Sequence, residues 1–362
     1  MESIEKLPYN SRVRRLRELA EAALTHYDLG SARLSLLSQR SDTLFRVAAT
    51  RRILLTPEVE EEEEEDIEER EVSYQIEKSR YVLRIYGPEA LETPALLSEL
   101  RWLTALRHDT ELVVPSPVLS RNGSYIVNVA IEDIPETPRC ALFHWVEGRF
   151  VDSRLTPGRL ERVGLFMARL HQHAETYSPP ASFTRPVWDW QQFFGPRTIY
   201  DREFLLQHYP DLLSVEDHAT LIALVEKTEE VLHSLPQTRA YYGLIHGDFQ
   251  QTNYLFYKDE VRAIDFEECQ FGYYLYDIAV MLAGLAGREN EAALRLAFFN
   301  GYMQIRTLPD DYERLLQLFE ALVLVRDMNR CLQQEPAPEK QGFAAAMQRL
   351  RACVEAGLHI VH

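Results

Sequence analysis

Residues 246 to 266 restrict this chain more than any other stretch: His-Gly-Asp-Phe-Gln-Gln-Thr-Asn-Tyr-Leu-Phe-Tyr-Lys-Asp-Glu-Val-Arg-Ala-Ile-Asp-Phe. The run opens as a polar loop carrying Asp248 and Asn253. It then turns strand-like. Tyr254 to Tyr257 is aromatic and aliphatic, Lys258-Asp259-Glu260 is a polar turn, and Val261 to Phe266 is apolar again. That order of residue types predicts a hairpin. Folding it back brings Asn253 and Asp265 near one another at the open end.

Such a set suits phosphoryl transfer from ATP. One carboxylate accepts the proton of an attacking hydroxyl, while an amide oxygen and a second carboxylate hold the magnesium that neutralises the phosphates. The segment resembles the catalytic segment of the aminoglycoside phosphotransferase-like kinases. That group also includes the homoserine, choline and fructosamine kinases and a bacterial stress-response kinase. The family segment reads His-Gly-Asp or His-Ala-Asp, four variable residues, Asn, a short hairpin, then Ile-Asp and an aromatic. His246, Gly247, Asp248, Asn253, Ile264, Asp265 and Phe266 fill those positions. The resemblance implies an α+β, two-lobed protein-kinase-like fold with an antiparallel β-sheet N-lobe and a mainly helical C-lobe. Residues 1–146 would form the nucleotide-binding lobe and 147–362 the catalytic and substrate-binding lobe. Asp248 becomes the candidate catalytic carboxylate, with His246 beside it as the orienter of the loop. Asn253 and Asp265 become the candidate metal ligands, and ATP and Mg2+ the expected cofactors.

The N-terminal half fits a sheet. Residues 11 to 28 are amphipathic, with Leu16, Leu19, Ala20 and Leu24 on one side, as in a helix. Leu34, Leu36 and Leu37 suggest a first strand, Leu44 to Ala49 a second, with 51–55 as a possible extension. Strand character resumes at Val72 to Glu77, and Arg80 to Tyr86 reads as a further strand stopped by Gly87-Pro88. Pro94 to Arg107 has helical spacing through Leu97, Leu100, Leu103 and Leu106. Pro115 to Ile131 reads as a hairpin about Asn122-Gly123, and Cys140 to Val146 as a last strand. The resemblance places Arg84 as the basic residue that pairs with the phosphates and with a glutamate on the next helix, here Glu99. Many relatives have Lys at that place, and an Arg clamps phosphate bidentately where Lys acts as a point charge. The turn Gln39 to Thr43 stands where a glycine-rich loop covers phosphates in protein kinases, yet it has no glycine. Its amides and the hydroxyls of Ser41 and Thr43 are the candidate phosphate contacts. Residues 143–149 resemble the lobe-connecting segment, so His144 and Val146 are expected to meet adenine through their main chain.

The C-terminal half reads as helical. Leu160 to His173 and Leu212 to Leu235 carry helix-spaced apolar residues, and 289–361 has few breaks. His171 is expected to be structural, since His171 and His173 stand on different helix faces. Tyr274 to Ala279 matches the family again, with Asp277 as a helix-opening residue that braces the catalytic loop by accepting its N–H groups. Glu267 and Glu268 are candidates for substrate or a second metal.

Composition narrows the partners. The net charge is −17, but 58–71 holds eleven acids and one base, a net of −10 that leaves only −7 for the rest. Such a run argues against nucleic acid and anionic membranes, and like-charge blocks are usually solvated loops. No apolar run approaches a bilayer span of roughly 18–20 residues, and the N-terminus lacks a signal-peptide core, so a cytoplasmic protein is expected. Cys140, Cys269, Cys331 and Cys353 form no C-x-x-C pair, so reduced thiols are expected rather than a zinc site or disulfides. The expected partner is a small molecule with a hydroxyl, aminoglycoside-like, homoserine-like or another metabolite; the run Leu275 to Ala279 also resembles homoserine kinases. A pseudokinase and a Ser/Thr protein kinase of the stress-response type are the alternatives. The short stretch between Phe266 and Tyr276 has no room for an evident activation segment and favours the small substrate. Gln250-Gln251-Thr252 departs from the His-Pro-Gly common in resistance enzymes.

Overall fold

The computed structural model describes residues 7–54, 74–132, 137–151, 154–188, 190–333 and 340–358. The chain divides into two compact units, Met1–Thr104 with Pro115–Val146, and Ala105–Val114 with Glu147–His362. Residues 105–114, placed in the N-terminal lobe by the sequence reading, cluster with the second unit instead. The reason is a bridge between Val113 and Arg262, closed by the Ala263 N–H donating to the Val113 carbonyl at 3.2 Å.

The first unit opens with α1 (Tyr9–Leu24), which starts and stops earlier than predicted. Its apolar stripe of Leu16, Leu19, Ala20 and Ala23 packs on the sheet residues Leu34, Phe45, Val47, Leu83 and Leu142. Strands β1 (Ser31–Gln39), β2 (Thr43–Leu54) and β3 (Tyr74–Ile85) follow. From Tyr74 to Ile85 the two strands expected at 72–77 and 80–86 are one, with 72–73 outside the described residues. Residues 75–78 are exposed, so polar side chains there do not interrupt pairing. β2 and β3 pair in unbroken register from Thr43↔Ile85 to Leu54↔Tyr74. The acidic run 58–71 lies outside the described residues. Helix α2 (Thr93–Asp109) comes next. The hairpin expected at 115–131 does not form. β4 (Pro117–Val118) and β5 (Val127–Asn128) each pair with β6 (Arg139–His144) and not with one another. Gly123 still makes the turn at φ +78. The antiparallel sheet has the order β1-β2-β3-β6-β4, with β5 on β6.

The second unit is mainly helical. α3 (Pro157–Thr176) leads to the short α4 (Gln191–Phe194) and α5 (Arg202–His208). α6 (Val215–Ser234) opens on a capping box in which Ser214 and Asp217 satisfy each other's N–H groups. β7 (Tyr242–Ile245) pairs antiparallel with β10 (Gln270–Tyr273), and β8 (Tyr254–Tyr257) with β9 (Glu260–Ala263). α7 (Tyr274–Ala283), α8 (Glu291–Tyr302), α9 (Tyr312–Leu332) and α10 (Lys340–Leu358) complete it. On α9, Leu315, Leu318, Leu322 and Val325 are core, as their spacing suggested. Two glycines bring α3 and α8 into backbone contact. A Cβ on Gly164 would sit 2.0 Å from the Phe298 carbonyl oxygen, and one on Gly301 1.8 Å from that of Glu161.

Among the described residues no helix is long and apolar enough to cross a membrane. All four cysteines are free thiols. Cys140 and Cys269 are buried, while Cys331 is exposed, and burial pushes the Cys140 thiol up to about 12.

Candidate active site

The predicted hairpin forms, with a tighter turn. Glu260 pairs with Tyr257, leaving Lys258 and Asp259 as the two loop residues at φ 47 and 70. Two positive φ values in a two-residue loop match the twist of the flanking strands. β9 ends at Ala263, not Phe266, and the chain leaves it through Asp265 at φ 65. The Ile264 N–H donates to the Asn253 carbonyl at 2.9 Å, so Asn253 is tied to the residue beside Asp265. Asp265 is exposed.

The loop between β7 and β8 is held from beneath. Asp277 is buried and accepts the N–H groups of His246 and Gly247, each at 2.9 Å. It is not a helix cap: α7 begins at Tyr274, and its N-cap position is Tyr273. Its carboxylate serves the neighbouring loop instead. His171, fully buried on α3, binds Asp277 at 3.2 Å through Nε2 and the Tyr302 hydroxyl at 2.9 Å through Nδ1. Burial alone would raise the Asp277 pKa, but the His171 hydrogen bond and charge and the loop N–H outweigh it and hold the carboxyl below its ordinary value. Burial pulls His171 below its ordinary value despite Asp277. Gly247 must be glycine: its φ is +80, and a Cβ would lie 2.3 Å from the Glu268 carbonyl oxygen.

His246 is buried, with both ring nitrogens on the main chain. Nε2 faces the Ile264 carbonyl at 3.1 Å, and Nδ1 faces the Asp248 N–H at 3.4 Å. One tautomer satisfies both contacts, the Nε2–H form. His246 therefore joins the loop to the end of the hairpin.

Asp248 is the most connected side chain of the loop. Its Oδ2 accepts from Asn253 Nδ2 and Gln250 Nε2, each at 3.0 Å. Its Oδ1 faces Arg330 Nη1 at 3.2 Å and Arg326 Nη1 at 3.4 Å. Asn253 Nδ2 also donates to the Asp248 carbonyl at 2.8 Å. With the amide nitrogen committed, Asn253 Oδ1 enters none of the described hydrogen bonds and is the atom a hard cation would use. Among the described residues no three His, Cys, Asp or Glu side chains gather as a metal site. A cation here would lean on an amide, a carboxylate and substrate phosphates, as magnesium commonly does.

In the first unit Arg84 is buried and meets Glu99 at 3.6 Å, as expected. It is also bound by Asp42, which the sequence reading missed. Asp42 accepts Arg84 Nε through Oδ2 and the Gly87 N–H at 2.8 Å through Oδ1. The signal was present, an acid inside the phosphate turn, but only the pairing Thr43↔Ile85 shows that Asp42 faces the end of β3. Ser41 is exposed on this turn, while Thr43 is buried at the start of β2. The His144 N–H donates to the Ser116 carbonyl at 2.9 Å, so that donor is already engaged within the sheet. Val146 lies past the strand and has no main-chain hydrogen bond among the described residues.

Three further residues were not legible. Arg185, buried, donates to the carbonyls of Cys269 and Glu267 and fixes the turn after Asp265. Arg326 and Arg330 lie one helical turn apart on α9, and nothing in their spacing told which helix face meets Asp248.

A sheet unit with a buried Arg–Glu pair, and a helical unit with a braced Asp loop followed by a hairpin, define the protein-kinase-like class. Solved structures agree. The chain is similar to a microcompartment-associated aminopropanol kinase, with a TM-score of 0.70 at 24% identity over 94% of this chain and 97% of that one. It is similar also to the amicoumacin kinase hAmiN in complex with AMP-PNP, Ca2+ and Ami, with a TM-score of 0.69 at 18% identity over 96% of each chain. At these identities the likeness establishes the fold. The sequence profile of the phosphotransferase enzyme family matches residues 64–318, and the chain belongs to that family. An uncharacterized protein of Synechocystis sp. is 27% identical over 239 residues, which are 66% of this chain and 63% of that protein. The chain thus aligns with less than two thirds of that relative's length.

Proposed function

We propose that this protein is an ATP-dependent phosphotransferase that moves the γ-phosphoryl group to a hydroxyl of a small molecule. The observation that carries this reading is the Asp248 carboxylate fixed by Asn253 Nδ2 at 3.0 Å, while Asn253 Oδ1 enters no hydrogen bond among the described residues. One amide thereby orients the acid and offers a metal ligand. The acceptor oxygen forms a bond to the γ-phosphorus, the bond to the β–γ bridging oxygen breaks, and ADP leaves. Asp248 orients the hydroxyl and takes its proton. Magnesium, held by Asn253 and Asp265, would supply neutralisation of the phosphate charge. Arg84, steadied by Glu99, would hold phosphate oxygens, and Val146 would meet the base through its main chain. Phe266 is separated from α7 only by a turn and β10, which favours a small acceptor over a protein.

The ion pairs on Asp248 and Arg84 favour one competing reading, a nucleotide-binding protein without turnover. Calorimetry of ATP binding with and without magnesium, for wild type and Asp265→Ala, tests the metal site. Wild type should bind more tightly with magnesium, and the variant should lose that difference. Equal binding in both conditions by wild type would end the kinase reading. ADP release over a panel of hydroxylated metabolites then separates an enzyme from a silent binder.

A further inference from the structure

The groups around Asp248 point to the acceptor's charge. Arg326 and Arg330 converge on one oxygen of Asp248, Oδ1, at 3.4 and 3.2 Å. The opposite oxygen is covered by Asn253 and Gln250. A hydroxyl presented to this carboxylate therefore brings its neighbouring substituents beside guanidinium groups. The two arginines are not equivalent. Arg326 has 13% of its side chain exposed and also donates to the Gly247 carbonyl at 3.1 Å, so it belongs to the framework of the loop. It also meets Asp327 at 2.9 Å and the Tyr276 hydroxyl. Arg330 is 34% exposed, and its Nη2 already carries a carboxylate, that of Glu268, at 3.1 Å. Glu268 is 46% exposed, and an exposed pair of this kind is weakly held.

We propose that Glu268 is a placeholder and that Arg330 receives an anionic group of the acceptor, a carboxylate, on the same fork. The substrate class is then hydroxy acids. This rests on the kinase reading of the same site. A guanidinium presents a planar fork matched to a carboxylate. A cationic amine in that place would face Arg330 and Arg326 instead.

The two members of the exposed pair should act in opposite directions. Arg330→Gln should raise KM for a hydroxy acid roughly ten- to a hundredfold, as expected for a lost charge-assisted contact, and leave KM for the matching amide little changed. Glu268→Gln should lower KM for the hydroxy acid by about two- to fivefold, by removing a competitor for the fork. A purely structural ion pair would not produce opposite signs. The assay is ADP release from hydroxy acids, hydroxy amides and amino alcohols on matched carbon skeletons of increasing length, with hydroxybutanoate, its amide and aminobutanol as the first set. Turnover concentrated in the acids, with the two opposite shifts, upholds the proposal. Turnover concentrated in the amides or amino alcohols, with magnesium-dependent ATP binding intact, overturns it and leaves the kinase reading standing. Loss of magnesium-dependent ATP binding in wild type overturns both. If no member turns over, calorimetry with the hydroxy acids in the presence of AMP-PNP decides: binding by wild type that disappears in Arg330→Gln upholds the proposal, and absence of binding overturns it.

Discussion

In the N-terminal unit a single arginine lies between two carboxylates, Asp42 and Glu99 on Arg84. In the C-terminal unit a single carboxylate lies between two arginines, Arg326 and Arg330 on Asp248. The two clusters differ in closure as well as in sign. Side-chain exposure around Arg84 stays between 2% and 10%. Around Asp248 it rises from 13% through 34% at Arg330 to 46% at Glu268. Exchange of partners is cheap where the ions are solvated and costly where they are not. The first cluster is thus a fixed charge. The second opens toward water by steps, and its outer partners can be replaced by a ligand.

The strongest test of this contrast removes the central acid. Asp248→Asn should lower turnover about 10²- to 10⁴-fold while ATP binding with magnesium persists. Steady-state kinetics beside calorimetry checks both, and turnover near the wild-type rate would remove Asp248 from the chemistry. A smaller effect is expected in the closed cluster, where the two acids should behave differently. Glu99→Gln should weaken ATP binding roughly tenfold, the order of one charge-assisted contact. Asp42→Asn keeps an acceptor for the Gly87 N–H and releases charge from Arg84, so the ATP Kd should stay within about threefold of wild type or tighten. Equal weakening by both variants would make Arg84 a structural tie and not a phosphate ligand.

Acid should strain the second unit. Burial lowers His171 and His173, with Asp277 and Asp109 opposing. When the folded pKa is below the unfolded one, the unfolded chain binds more protons as pH falls. The stabilisation is complete above the unfolded value of about 6.5 and is lost progressively below it. Asp277, also held low, extends the loss below about pH 4. Denaturant melts from pH 8 toward pH 5 should show falling stability, and the double variant His171→Gln with His173→Gln should flatten the slope. An unchanged slope would remove these histidines from the acid response. The smallest effect is expected from deleting residues 60–69, within the stretch that joins the paired ends Leu54 and Tyr74. Stability and ATP affinity should stay within about 0.5 kcal/mol of wild type, as the loop expected from the like-charge run implies, since loop length weighs only logarithmically. A larger loss would give the acidic run a role of its own.

What could be read from the sequence divides along the same line. The Asp248 loop and the hairpin are written in consecutive residues, and the brace by Asp277, 30 and 31 positions on, was legible through the family resemblance. The Arg84–Glu99 pair needed only one strand and the next helix. Asp42, Arg330 and Arg185 act across 42, 82 and 84 positions, where strand register and helix rotation decide who meets whom. Local pattern also misled. Strands were expected to stop at Glu77 and resume at Arg80, yet β3 is continuous there, and Asn122-Gly123 promised a hairpin whose strands pair elsewhere.

Gly164 and Gly301 bear on how this protein tolerates change. Tyr302 follows Gly301 directly, and its hydroxyl meets His171, which meets Asp277, which holds the loop of Asp248. A single methyl group at either glycine has no space to occupy, so α8 must lift from α3 and carry Tyr302 away from His171. A saturation-mutagenesis map scored on activity should return positions 164 and 301 beside 248. Read without the fold, that map would credit two glycines with chemistry when their contribution is the distance between two helices.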